Sequence, residues 1–320
     1  MANVFSTESA QIKKNILVSG SVAYDYLLEF PGVFRDSLVA DNLNHLSVSF
    51  FAPVMRREYG GCAGNIAYNI QLLGDMAIPI AAVGNDSQGY LTRFLEMGVD
   101  CSCLQTLNAH YTAQAFITTD QQNNQIAVFH PGAMLQAGEF DIPMSKTIDL
   151  AIVSPNDKAA MLRHASSLKQ RNIPYLFDPG QALPILTKQD IELMMNGAVA
   201  SIMNRYEMNL VAEKLGVPPE KLPEQCDVLI VTDAEEGSLV YQHNQVIHIP
   251  AIPVAKAVDP TGCGDAYRAG LLYGLARDWS WQESAQLGSV MGAVKVQERG
   301  GQNHVIQLSA ALDLLKKHYA

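Results

Sequence analysis

Four apolar runs, at residues 150–153, 175–178, 198–203 and 227–232, are separated by three stretches of helical period at 158–171, 188–195 and 205–215. A run with no polar alternate positions has to be covered on both faces. Strands that alternate with helices in this way predict a mainly parallel sheet with helices packed on both sides. The pattern starts earlier, with runs at 16–22 and 78–83 and helices at 66–74 and 88–97. It ends in helical sequence over 266–276 and 280–298, broken at 300–304 before a terminal helix.

Ligands of such sheets gather beyond the carboxyl ends of the strands, so polar residues just past each run are candidate site residues. Asp25 follows the first run, where a turn-capping carboxylate is the plain alternative. Gly60 and Gly61 precede a helix that Asn65 opens, and a glycine pair lets a ligand lie against bare backbone. Asn65 either caps that helix or exchanges hydrogen bonds with a polyol. Asn204 and Glu207 are spaced to face one point. They read as half a capping box, or as an amide and a carboxylate holding the water shell of Mg²⁺. Thr232 and Gly237 offer a hydroxyl and free amides to a nucleotide.

The stretch Asp259-Pro260-Thr261-Gly262-Cys263-Gly264-Asp265 is a glycine-punctuated turn opening into an apolar helix. Such a start aims unpaired N–H groups and a partial positive charge at one spot, which suits an anion. A carboxylate there would repel phosphate. Asp265 makes sense if it touches the atom that attacks the phosphate, or if it is an N-cap.

Two patches break the alternation. Residues 26–30 and 46–50 are short and β-rich, as are 111–119 and 125–129, with 120–124 as a polar hairpin loop. The two patches are expected to pair into one lid.

Among 320 residues, 48% are hydrophobic and 17% charged, and the net charge is -10. With no Lys/Arg cluster longer than a pair, a nucleic-acid partner is not expected. The five cysteines are scattered, and Cys101-x-Cys103 lacks the second pair of a zinc site. Reduced thiols and a cytoplasmic location are expected. Residues 1–15 read as a flexible tail without a signal peptide, and no run approaches the ~20 apolar residues of a membrane span.

These pieces together resemble the ribokinase-like (PfkB) carbohydrate and nucleoside kinases, from Ile16 onward. Asp259 to Asp265 is similar to the family's second signature, Tyr59 to Asn65 to its first, and Asn204 to Glu207 to its Mg²⁺/phosphate motif. The resemblance implies an α/β/α sandwich with a small β-sheet lid: a single domain over 16–320, its lid at about 26–59 and 101–130. It implies ATP and Mg²⁺ as cofactors, and leaves K⁺ at Asp259 and Thr261, and a homodimer, open. Asp265 would be the general base, with Gly262, Cys263 and Gly264 as the anion hole. Asp25, Gly60, Gly61 and Asn65 would hold the acceptor. Asn204 and Glu207 would organise Mg²⁺, and Asn204, Thr232, Gly237, Gly262 and Gly264 would meet ATP.

Three features lean toward a nucleoside acceptor over a free sugar. The signature reads D-P-T-G-C-G-D with Arg268 beyond, where ribokinases more often read D-T-T-G-A-G-D-A-F. Phe129 to Met134 resembles nucleoside kinases related to adenosine kinase. Phe116 and Tyr111 offer rings to stack on a base. Arg268 pairs either with substrate or phosphate, or with a structural carboxylate. A sugar kinase, and more remotely a silent nucleoside or sugar sensor, stay open as alternatives.

Overall fold

The computed structural model describes residues 12–37, 48–243 and 245–319. Its strands are β1 (Asn15–Ser19), β2 (Ala23–Glu29), β3 (Val54–Gly60), β4 (Met76–Gly84), β5 (Leu104–Leu107), β6 (Ala113–Thr119), β7 (Gln125–His130), β8 (Leu150–Val153), β9 (Tyr175–Phe177), β10 (Ala200–Asn204), β11 (Val228–Thr232), β12 (Ser238–Gln242) and β13 (Gln245–Ile249). Its α-helices are α1 (Phe34–Ser37), α2 (Cys62–Leu72), α3 (Gln88–Glu96), α4 (Lys158–Gln170), α5 (Lys188–Met195), α6 (Arg205–Leu215), α7 (Cys263–Leu275), α8 (Trp281–Lys295) and α9 (Leu308–Tyr319).

Nine strands form one sheet in the order β13-β12-β11-β10-β9-β8-β1-β4-β5. It is parallel from β11 to β5, and the β11–β12 and β12–β13 pairings at one edge are antiparallel. Strand alternation splits its side chains between two cores. Ile16, Val18, Ile152 and Ile230 pack with Ile66 and Ile70 of α2 and Leu271 and Leu272 of α7. Leu17, Ala151, Val153 and Val231 point the other way, onto Met161 of α4, Met194 of α5 and Val211 of α6. The helices start where their sequences say they should. Thr187 with Asp190, Asn204 with Glu207 and Ser280 with Glu283 each close a reciprocal capping box.

The smaller sheet has the order β3-β2-β6-β7. Its second strand is Val54–Gly60, which pairs with β2 over seven positions. Of the expected strand at 46–50, residues 46 and 47 lie outside the described residues and 48–50 form none. The sequence V-M-R-R-E-Y-G carries three consecutive charges, so no apolar period announces it; charges of this kind suit an edge strand. Leu104–Leu107, expected with the lid, joins the large sheet beside β4 instead. The first strand stops at Ser19, and residues 20–22 turn away.

Residues 1–11 of the expected tail lie outside the described residues, but 12–15 are tied down. The Arg277 guanidinium donates to the Ile12 carbonyl and, through both Nη atoms, to Asp75 at 2.7 Å. Asp75 also accepts the Lys14 amide. This pair is buried at the amino end of the sheet. Removing one partner strands the other charge, so Asp75→Ala is expected to lose about 3–5 kcal/mol of stability in urea denaturation. It should leave ligand affinities at the carboxyl end unchanged.

Candidate active site

Helix α7 begins at Gly262, whose φ of 77° lies in the left-handed region where a side chain is strained. That turn directs the first amides outward. The Cys263 amide folds back onto the Pro260 carbonyl at 3.1 Å. The amides of Gly262, Gly264 and Asp265 donate to no acceptor among the described residues. The expected anion hole therefore shifts by one donor. It is Asp265, and not Cys263, that joins the two glycines. Burial pushes the Cys263 thiol up to about 11.

Asp265 stands half-buried at the rim of these amides. Asn65 of α2 donates to its Oδ2 at 2.8 Å, and Gln302 donates to the Asn65 oxygen at 3.1 Å. Gln302 also bonds the Tyr90 hydroxyl, which in turn donates to the Gly60 carbonyl. The amide of Asn65 is thus fixed from behind, with its nitrogen aimed at the carboxylate. Burial raises the Asp265 pKa to about 6. The Arg268 charge and the Asn65 hydrogen bond oppose that rise, and the charges of Asp178 and Asp25 add to it.

Asp25 reaches the same region from β2. Its pKa is also about 6, through burial and then the charges of Glu58 and Asp259. Gly60 makes room for it, since a Cβ there would sit 2.4 Å from Asp25 Oδ2. Gly61, at φ 84°, opens α2 and lets the Cys62, Ala63 and Gly64 amides bond Ser21.

Arg268 is committed to structure. Its Nε and Nη2 each donate to Asp178 at 2.6 Å and its Nη1 to the Gly264 carbonyl. The ion-pair alternative therefore holds, and the substrate-contact role expected for Arg268 does not. Asp178, just past β9, is a site residue the sequence reading missed; an aspartate at a strand's carboxyl end was the available signal. Glu207 belongs to the same cluster. Its carboxyl is raised by burial and by Asp178, and held back by the Asn204 amide and by Arg268.

Asn204 and Glu207 form the full capping box, with Glu207 Oε2 on the Asn204 amide. Among the described residues no group of three or more His, Cys, Asp or Glu is poised to cage a metal. Thr232 ends β11 beside Asn204. Gly237 is required by packing, because a Cβ there would lie 2.1 Å from the Ile249 carbonyl.

Two expectations change. At the position expected to be open to K⁺, Asp259 and Thr261 are engaged within the protein. The Asp259 carbonyl already accepts from Lys295 Nζ at 2.7 Å, and its carboxylate accepts the Thr261 and Gly300 amides. Phe116 sits opposite Tyr26 in register, stacked on it at 4.9 Å. Asp25 sits opposite Ala115, and Ala115 opposite Phe129. Strand alternation therefore puts Phe116 on the sheet face away from Asp25, and Phe129 on the Asp25 face. Tyr111 precedes β6, in the loop whose Thr112 is bonded to Asp86.

Residues 41–307 match the model of the pfkB family of carbohydrate kinases. The chain is 38% identical to a nucleoside kinase of Burkholderia thailandensis, solved with inosine (TM-score 0.86, 95% of this chain and 98% of that one). Its complex with ADP and inosine superposes with a TM-score of 0.83, over 95% and 96% of the two chains. A nucleoside kinase of Methanocaldococcus jannaschii is 30% identical over 274 residues, 85% of this chain and 90% of that one.

Replacing Arg268 removes the nearest positive charge from Asp265. Arg268→Met is expected to move the Asp265 titration, followed by carboxyl ¹³C NMR, to a pH above 6. The same variant leaves Asp178 buried and unpaired, and should cost about 3–5 kcal/mol in urea denaturation.

Proposed function

The chain belongs to the pfkB family of carbohydrate kinases, and we propose that it transfers the γ-phosphoryl group of ATP to the 5′-hydroxyl of a nucleoside. The observation that carries this reading is the Asn65–Asp265 contact at the mouth of three unpartnered amides. A base beside an anion hole is what an attacking hydroxyl and a transferring phosphoryl group require together. The inosine complexes of the Burkholderia thailandensis relative favour a nucleoside over a free sugar.

Asp25 and Asn65 bind the ribose hydroxyls, which places the 5′-oxygen against Asp265. With a pKa of about 6, Asp265 is ionised at neutral pH and still basic enough to take the hydroxyl proton as the O–P bond forms. The amides of Gly262, Gly264 and Asp265 receive the charge that spreads over the phosphoryl oxygens. ATP lies along Asn204, Thr232 and the turn at Gly237. Glu207 and Asn204 would hold Mg²⁺ through water, and the ion would supply positive charge to the phosphates. The small sheet closes over the acceptor with Phe129 on its inner face, excluding water that would compete for the phosphoryl group.

Free cysteines and the use of ATP support a cytoplasmic location, and no helix of the described residues is long and apolar enough to cross a membrane. The outer face of the small sheet exposes Met55, Phe116, Ile126 and Val128. That apolar patch supports a homodimer, which light scattering would show to revert to monomer in Val128→Asp.

Steady-state assays with ATP and Mg²⁺ against inosine, adenosine, cytidine, ribose and fructose test the acceptor; turnover on the sugars alone would refute the nucleoside reading. Asp265→Asn is expected to lower kcat by about 10²–10⁴-fold while calorimetry shows nucleotide binding retained. For the parent, kcat/KM should rise with pH through about 6 and then level, as Asp265 ionises. The same shift fixes the sign for stability. The folded pKa lies above the ~3.9 of an unfolded aspartate, so ionisation costs stability as pH rises through 6. Asp265→Asn should therefore melt higher than the parent at pH 7.5, with the difference vanishing near pH 4.

A further inference from the structure

Lys295, the last residue of α8, is fully buried, at 0% exposure. An ammonium in that position normally needs a carboxylate partner. Here both of its hydrogen bonds go to main-chain carbonyls, of Asp259 at 2.7 Å and Glu298 at 3.1 Å. The neighbouring backbone closes around the same point. The Val296 carbonyl accepts the Val258 and Asp259 amides, and the Asp259 carboxylate accepts the Thr261 and Gly300 amides. Lys295 therefore sits where segment 258–261 of the phosphate loop meets the turn after α8. Burial lowers the Lys295 pKa, and the charges of Asp259, Asp265 and Glu298 oppose that fall and favour the ammonium. His304 also faces it, but burial and the Lys295 charge press its pKa to about 4, so it adds no charge near neutral pH.

Carbonyl oxygens backed by diffuse negative charge are the ligand set of a dehydrated monovalent cation such as K⁺ or NH₄⁺. We propose that the Lys295 ammonium is a built-in monovalent cation. It holds the Asp259–Gly264 loop in the shape that aims the amides at the phosphoryl group, and it frees the enzyme from soluble K⁺. Lys295 is a positioning residue: it acts on the reaction through the Asp259 carbonyl and touches no substrate. The inference rests on the kinase reading above, and its test separates the two.

The experiment compares the full chain and Lys295→Met in buffers whose sole monovalent cation is K⁺, NH₄⁺, Na⁺ or tetramethylammonium. Melting temperature and inosine phosphorylation are read in each. The parent should melt and turn over alike in all four. Lys295→Met should lose about 10²-fold in kcat in tetramethylammonium, with a smaller change in the KM for inosine, because misplaced amides fail the transition state more than the ground state. K⁺ and NH₄⁺ should restore much of that loss and raise the variant's melting temperature. A parent activated several-fold by K⁺ would overturn the proposal. So would a folded variant whose melting temperature and kcat ignore all four cations. Should Lys295→Met not fold, Lys295→Gln takes its place, and the parent's salt series decides independently. The melting shifts need no acceptor, so they stand even if inosine proves not to be phosphorylated.

Discussion

The buried pair between Arg268 and Asp178 is the interaction on which the site depends. It joins the carboxyl end of β9 to the second turn of α7, and Arg268 holds the Gly264 carbonyl of the first turn at the same time. A guanidinium bonded by two parallel N–H···O contacts is rigid as well as charged. The turn that presents the phosphate-binding amides is therefore locked to the centre of the sheet. Arg268 also provides the positive charge that Asp265 and Glu207 feel. Without it, three carboxylates would share a low-dielectric pocket, and the base would titrate higher.

An acidic chain that binds a polyanion has to make positive potential locally. This one does so with little side-chain charge. The donors are backbone amides at the start of α7, together with Arg268 and Lys295, both buried and both hydrogen-bonded to backbone carbonyls. Fixed dipoles and buried cations need no reorganisation when charge moves in the transition state. Asp25 and Asp265, both near pKa 6, are the cost of that arrangement: two carboxylates kept partly out of water so that one of them can act as a base. Their tuning and their instability have one cause, burial.

The parts of the fold that were legible in sequence are those with a local signal. Helices α5 and α6 fall on the expected residues because a capping box, an apolar period and a stop lie within a dozen positions. Strands β8 to β11 fall within two residues of expectation because burial on both faces leaves their interiors almost wholly apolar, Ser201 being the exception. Strand β3 was invisible for the opposite reason: it is an edge strand, and M-R-R-E carries no period. Among the candidate site residues, Asp265, Asn65 and Asp25 were legible because each stands next to the end of an apolar run or the start of a helix in the sequence. Asp178 sits at such an end too, yet its meaning comes from Arg268, 90 positions away.

The order of apolar runs and glycine turns was enough to settle a parallel sheet, the strand ends at which polar residues collect, and the turn that opens α7. All of these follow from chemistry within a few residues of each other. Which face Phe116 occupies, whether Arg268 meets substrate or Asp178, which amides of the phosphate loop stay unpartnered, and what fills the cation position at Asp259 were decided by packing. Each depends on register or on contacts between distant segments, where one residue of shift reverses a face and one buried ammonium replaces an ion. The stretch from Asp259 to Asp265 shows the division. Its glycines and carboxylate announce an anion site by themselves, but the Lys295, Gln302 and Asp178 contacts that give it a working shape lie far along the chain.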